Sequence, residues 1–282
     1  MEPFHHRIAL ALVAGCALFG ACTEDESEPT AISAGTPVAS APATSPSAPY
    51  SLLQMNLCLS GVAGCFDDTQ YPKIVDEAID VIRSSDPNAV TVNEACSGDI
   101  ARIADETGYH MRFATVLIRG EPFPCVDPGE RGVFGNAVLT KEAITGAADQ
   151  AFSAQAGTEE RRWICAETAR KVNVCTTHLS TRGSDAARAA NDAQCVEFAA
   201  IQAARNEQWP TIAAGDINRT ESCAPTGMWT LTDAAAGQLA GIQHSYGSAE
   251  DFLHPQVAIL PATFTDHDFM LVKTRLVPPV RP

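Results

Sequence analysis

Positive charge is scarce in this sequence: 19 Lys and Arg stand against 34 Asp and Glu in 282 residues, a formal charge of −15. A chain this acidic lacks the broad basic face with which proteins grip a nucleic-acid backbone. Aromatic residues are also few, at 6%, and Trp163, Trp209 and Trp229 are isolated, so no Trp/Phe run marks a membrane-inserting hairpin. The apolar run Ile8 to Gly20 is too short to cross a bilayer as a helix. No internal repeat appears. Beyond residue 22 no two cysteines are spaced Cys-x-x-Cys and no His follows at finger-like distance, which argues against structural zinc.

The hydrophobic fraction of 45% supplies one sizeable core and excludes collagen, coiled coil and wholesale disorder. Ten cysteines point to an oxidising compartment. His5, His6 and Arg7 precede the short apolar run, as in a secretory signal. That run ends in Phe19-Gly20-Ala21-Cys22 before the acidic Thr23-Glu24-Asp25-Glu26, which resembles a bacterial lipoprotein signal. Val13-Ala14-Gly15-Cys16 fits the usual consensus better, but cleavage there leaves Cys22 without a partner, whereas cleavage at Cys22 leaves eight cysteines that can all pair. An ordinary signal peptide is the alternative, and either implies export. The expected organisation is a signal peptide at 1–21, lipidated Cys22, a flexible tether over 22–50 that is first acidic and then rich in Ala, Ser and Pro, and a folded domain at 51–282. That domain keeps 18 basic and 29 acidic residues, a charge of −11. The expected location is extracytoplasmic, either anchored to a bacterial membrane by the lipid alone or secreted, and the expected state is a monomer.

Periodicity orders the elements of the domain. Ser51 to Leu57 reads as a strand, and Tyr71 to Ser84 as a helix with Ile74, Ala78, Val81 and Ile82 on one face. Ala89 to Glu94 is a second strand, and Ser97 to Glu106 a second helix, capped by Ser97 and stopped by Gly108. An alanine-rich helix spans about Ser184 to Arg205, with Ala190, Ala193, Val196 and Ala200 as its expected apolar stripe. Further strands are expected at 111–117, 135–140, 161–168, 171–178, 211–214, 257–260 and 268–276. This pattern implies an α/β fold, two stacked and mostly antiparallel sheets flanked by helices. The runs 161–168 and 171–178 flank the turn Ala169-Arg170 and set Cys165 opposite Cys175 for a disulfide. Chain order offers Cys58 with Cys65, Cys96 with Cys125, and Cys195 with Cys223 as the other pairs.

Polar residues stand where these strands end: Asn56, Glu94, His178, Asp216 with Asn218, and Asp266-His267-Asp268. Singly, each is explained by turn formation or solvation. Together, carboxylates for a hard cation, two His and an Asp-x-Asn pair are the parts that hydrolyse a phosphate ester with Mg²⁺. His110, His244 and His254 have no such context and read as structural.

Six segments in order resemble the endonuclease/exonuclease/phosphatase superfamily over residues 51–277: Met55-Asn56-Leu57, Val92-Asn93-Glu94, Gly135-Asn136-Ala137-Val138-Leu139-Thr140, Thr177-His178-Leu179, Ala214-Gly215-Asp216-Ile217-Asn218 and Thr265-Asp266-His267-Asp268. The resemblance implies a deoxyribonuclease I-like four-layer α/β sandwich. It implies that Glu94 holds Mg²⁺, or Mn²⁺ or Ca²⁺ in its place, with Asn56 and Asp266 beside the ion. Asp216 would orient or deprotonate the attacking water, Asn218 would donate to a phosphoryl oxygen, and His178 would bind the phosphate. His267 would be general base or charged donor, its tautomer set by Asp251 of Glu250-Asp251-Phe252. Asn136 and Arg162, or Arg161 in its place, are further expected phosphate contacts. Asn93 stands where the family has Gln, and Cys58 stands where abasic-site endonucleases have an extra Asp. The expected activity is metal-dependent phosphoester hydrolysis, nuclease-like if Arg112, Arg119, Arg131, Arg161, Arg162, Arg170, Lys171, Arg182 and Arg188 gather near His178. A small phosphorylated metabolite or lipid headgroup is the alternative substrate, and a non-catalytic surface binding protein a lesser one.

Overall fold

The computed structural model describes residues 47–278, so Cys16, Cys22, the signal peptide and most of the tether lie outside the described residues. The elements in chain order are β1 (Ala48–Asn56), α1 (Lys73–Ser85), β2 (Ala89–Cys96), α2 (Ser97–Thr107), β3 (His110–Thr115), β4 (Leu117–Ile118), β5 (Glu121–Pro122), β6 (Phe134–Thr140), β7 (Ile144–Ala151), β8 (Arg162–Thr168), β9 (Asn173–His178), α3 (Asp185–Gln208), β10 (Thr211–Asp216), β11 (Met228–Thr232), β12 (Gln243–Ser248), β13 (Phe252–Leu260) and β14 (Phe269–Leu276). The first strand thus starts at Ala48, ahead of the expected Ser51.

Two six-stranded sheets form, in the orders β13-β14-β1-β2-β6-β3 and β11-β12-β10-β9-β8-β7. Each is antiparallel except at its centre, where β1 runs parallel to β2 and β9 parallel to β10. The sheets face one another across a dry layer of Leu52, Val138, Ile164, Val174, Ile212 and Val272. A second core, with Ile74, Ile79 and Ile82 of α1 and Ile100 and Ile103 of α2, backs the first sheet, and a third, with Phe198 of α3, backs the second. The result is a four-layer helix–sheet–sheet–helix sandwich. Amphipathic α1 and α2 follow the expected spacing, although Ser97 lies inside α2 and its hydroxyl accepts from Val133 N rather than capping.

Of the expected stripe of α3 only Ala190 is buried, and Ala193, Val196 and Ala200 face outward. Val196 is 71% exposed, and the helix is held instead by Asn191, Gln194, Phe198 and Gln202. Alanine favours helix on any face, while the buried amides bond to loop carbonyls: Asn191 Nδ2 to Ser180 O (2.7 Å) and Ile217 O (2.9 Å), Gln202 Nε2 to Cys223 O (3.2 Å). Disulfides join Cys58–Cys65, Cys96–Cys125, Cys165–Cys175 and Cys195–Cys223. Cys165 and Cys175 are direct partners in the β8–β9 register.

Gly215 shows how tightly the parallel pair β9–β10 is drawn together, because a Cβ there would lie 2.0 Å from Thr177 O. Gly215→Ala is therefore expected to lower stability by at least about 2 kcal/mol in urea denaturation with disulfides intact, since backbone must move. Gly64→Ala, with nothing within 4 Å of the added carbon, is the control and leaves the midpoint unchanged.

Candidate active site

The parallel centres of the two sheets deliver their chemistry at the same end. β1 and β2 finish with Asn56 opposite Asn93, and β9 and β10 finish with His178 opposite Asp216. β14, antiparallel, starts there after Asp266 and His267, and β12 starts there with Gln243 opposite Asp216. In β2 the register breaks between Val92 and Ala95, so that Asn93 and Glu94 face the single residue Asn136 of β6. Glu94 takes φ 52° in this bulge and Asn218 takes φ 54° in its loop, left-handed conformations that are costly for residues with a side chain and that aim both into the site.

Asn93 is the joint between the sheets. Its Oδ1 accepts from Asp216 N (2.8 Å) and from Gln54 Nε2 (2.8 Å), and its Nδ2 donates to Asn136 Oδ1 (3.0 Å) and Thr177 O (3.2 Å). Asn56 makes a second tie, its Nδ2 donating to Glu94 Oε1 (3.0 Å) and Asp216 Oδ2 (3.1 Å) while its Oδ1 accepts from Cys58 N (3.2 Å). Asp216 Oδ1 accepts from Asn218 N (3.0 Å), and Asn218 Nδ2 donates to Leu179 O (3.0 Å). Gln243 Nε2 donates to Asp268 O (2.7 Å) and Asp233 Oδ2 (3.2 Å), which fastens the strand behind His267.

Above this hydrogen-bonded floor the side chains approach without bonding. His178 Nε2 lies 3.6 Å from Asp216 Oδ2 and 3.9 Å from Glu94 Oε1; His267 Nε2 lies 3.5 Å from Asp216 Oδ2 and 3.9 Å from Asp266 Oδ1. These gaps exceed hydrogen-bond lengths. Ligand atoms of Glu94, His178 and Asp216 fall within 4.8 Å of one another, around a common point that a cation can fill. Burial pushes the Glu94 carboxyl up to about 7, partly offset by the Asn56 hydrogen bond. Burial likewise raises Asp216, and it holds His178 well below the usual histidine value, with Arg161 and His267 adding to the effect. His178 is thus a neutral imidazole, one donor and one acceptor.

These groups line a pocket of about 380 Å³ together with Glu159, Arg161 and Asn218. Three expected contacts fall elsewhere. Arg162 leaves the pocket to pair with Asp149 and, at 2.8 Å, Glu160, because Asp149 lies on the neighbouring edge strand β7. Arg161 takes its place: its Nη2 meets Glu159 Oε2 at 3.1 Å, while its buried Nη1 has no partner. Asn136 is 2% exposed and lies beneath the site, where its amide oxygen holds Asn93. Asp251 is at the far end of the sandwich from His267, since Phe252 pairs with Leu276 whereas His267 precedes Phe269 at the other end of β14. It accepts instead from Ser248 Oγ. The other cations scatter: Arg131 pairs with Asp99 at 3.0 Å under a helix, Lys171 with Glu167 at 3.2 Å, Arg182 with Asp192 at 2.6 Å, and Arg170 and Arg188 with their own carboxylates.

No family model and no curated protein matches the chain. Solved structures do. An endonuclease/exonuclease/phosphatase from Beutenbergia cavernae is 18% identical, with 83% of this chain and 73% of that one covered at a TM-score of 0.59. The human Nocturnin catalytic domain with bound sulfate is 15% identical over 81% and 94% of the two chains, TM-score 0.60. An endonuclease/exonuclease/phosphatase from Bacteroides vulgatus is 13% identical over 81% and 99%, TM-score 0.60. At these identities the likeness is one of architecture, and the chain has the α/β sandwich fold of the endonuclease/exonuclease/phosphatase proteins.

Proposed function

We propose that this chain is an extracytoplasmic, divalent-metal-dependent hydrolase of phosphate esters. The observation that carries the reading is the gathering of Glu94, His178, Asp216, Asp266 and His267 on one pocket, where Glu94 and Asp216 approach His178, and Asp216 and Asp266 approach His267, at distances too long for hydrogen bonds. A metal fits the residues present: the partly buried Glu94 and the buried Asp216, both raised by desolvation, stand close together, a carboxylate pair that a hard cation relieves. Glu94 would hold the ion, with Asp266 beside it and Mg²⁺ the first choice over Mn²⁺ or Ca²⁺. When bound, the ion offsets the negative charge of the phosphoryl oxygens.

The chain's own groups supply the remaining steps. Asp216 Oδ2, fixed by the Asn56 amide, accepts the proton of a water that attacks phosphorus. Arg161 Nη1, His178 Nε2 and the Asn218 amide face the phosphoryl oxygens as charge grows on them. His267 gives a hydrogen bond, and finally a proton, to the ester oxygen as its bond to phosphorus breaks. The products are an alcohol or phenol and the shortened phosphate. Sulfate, which the Nocturnin catalytic domain binds, is a phosphate mimic. The four disulfides suit an oxidising compartment, and Cys22 would carry the lipid anchor.

Purified protein with Mg²⁺ is expected to cleave bis-p-nitrophenyl phosphate and to stop in EDTA, and His267→Ala to lower kcat by about a hundredfold or more with the fold retained. No turnover with any divalent ion, or wild-type turnover in His267→Ala, contradicts the reading. A second expectation concerns pH. The folded carboxyl of Glu94 titrates near 7 against an ordinary 4.5, so the folded metal-free protein binds this proton more tightly and loses stability as pH rises between those values. Glu94→Gln in EDTA at pH 8 should therefore be more stable than wild type by about 2 kcal/mol in chemical denaturation, and should lose stabilisation by Mg²⁺.

A further inference from the structure

The polar floor explains how a phosphate would be held, but not the wall above it. Val62, Ala63, Ile118, Leu239 and Ile242 line the same pocket. Val62 is 63% exposed and Leu239 52% exposed, and with Val196 and Val257 they make up the large apolar side chains exposed among the described residues. A single exposed hydrophobic residue needs no explanation. Two that border one pocket, each on a built loop, do.

The loop bearing Val62 is clasped by Cys58–Cys65. Ser60 Oγ accepts from Val62 N (3.2 Å) and Ala63 N (3.3 Å), and Ser60 O accepts from Val126 N (3.1 Å). Gly61, at φ 84°, lies so near Val126 that a Cβ would fall 2.1 Å from its carbonyl oxygen. In the lining of the same pocket, Leu239 sits at φ 42°, a backbone that Gly or Asn adopts at lower cost. Its side chain gains little by packing at that exposure. Its loop is pinned on both sides, with Gly237 N donating to Asp268 Oδ2 (2.6 Å) and Gly241 N to Asp233 Oδ1 (2.7 Å). Asp268 Oδ1 also accepts from Ala262 N (3.1 Å), so one carboxylate ties the loop that carries Leu239 to the segment that leads into His267.

Charge points the same way. Glu94, Glu159, Asp216 and Asp266 line the pocket against the single guanidinium of Arg161, and Arg161 is already paired on one side. A polynucleotide would bring further phosphates to a pocket lined by four carboxylates and one guanidinium, and Arg182 and Arg219, which follow the lining residues Thr181 and Asn218, are both engaged by Asp192. A substrate with one phosphate and an apolar substituent brings one charge for the floor and one greasy group for the rim.

We infer that the pocket takes a phosphodiester with a single phosphate, one of whose ester substituents is an apolar aryl or alkyl group seated between Val62 and Leu239. The inference rests on the hydrolase reading. Water adds to phosphorus, the bond to the leaving oxygen breaks with a proton delivered to it, and an alcohol or phenol and a phosphomonoester are released.

The test compares bis-p-nitrophenyl phosphate with methyl p-nitrophenyl phosphate, which share a leaving group and differ in the retained substituent. The double variant Val62→Ser, Leu239→Asn removes both apolar contacts, and Asn suits the left-handed backbone, so the fold is kept. Relative to wild type, its preference for the diaryl ester in kcat/KM should fall by about tenfold, through KM, with the methyl ester little changed. Monomeric dihexanoylphosphatidylcholine separates the sources: its cleavage assigns the apolar group to a lipid, and cleavage of aryl esters alone assigns it to a soluble ester. An unchanged preference in the variant, or supercoiled plasmid cut faster than either small diester, overturns the inference while the hydrolase reading stands. No hydrolysis of any ester overturns both.

Discussion

The amide of Asn93 is the interaction on which this molecule's chemistry depends. It reaches from a bulge in one sheet to the backbone of Asp216 and Thr177 in the other, and so ties the two sheets together at the end where the candidate site residues emerge. Between the sheets lies a mostly aliphatic layer, which holds them together without direction, and a second directional tie, Trp229 Nε1 donating to Phe252 O at 2.9 Å, joins the edge strands β11 and β13. A hydrogen-bonded amide in a dry interior is directional and costly to leave unpaired. With Asn56 tying Glu94 to Asp216, it converts two sliding surfaces into one rigid frame.

That frame has an electrostatic consequence. Two carboxylates and two imidazoles are held close together in a largely buried place, and the frame keeps them from satisfying one another. Burial favours the neutral forms of Glu94, Asp216 and His178. In the proposed function a divalent cation and a phosphate would bring this arrangement into balance. On the proposed reading the acidic balance of the domain is no obstacle to a phosphate substrate, because the floor of one pocket would recognise it, while most cations elsewhere are neutralised by local carboxylates.

The short segments at strand ends were legible because chemistry and secondary structure coincide there: a strand that ends in Asn56, His178 or Asp216 shows both a hydrophobic run and a polar stop. The central strands and α1 and α2 followed from periodicity for the same reason. What was not legible lacked that contrast. β12, Gln-His-Ser-Tyr-Gly-Ser, is buried throughout yet polar: Gln243 and Ser245 bond to Asp233, Asp268 and Ala213, distant in sequence, and His244 to Gly241 and Tyr246 nearby. β7 is an edge strand of small residues, and β13 carries Pro255 beside a register shift, which edge strands tolerate. The choice between Arg161 and Arg162 turned on Asp149 across the β7–β8 pair, a strand that periodicity had not marked. Asp251 was assigned to His267 by local likeness, but the antiparallel register of β13 on β14 carries it to the opposite end. In α3, alanine frequency pointed to the solvent face because the buried face is anchored by amides and a disulfide.

The most direct test of the account is the anomalous difference map from a crystal of this protein soaked in Mn²⁺. The account predicts an ion in the pocket within bonding distance of the Glu94 carboxylate, and its loss in Glu94→Gln. Manganese bound only outside this pocket, or a pocket empty at saturating Mn²⁺ and neutral pH, would contradict it.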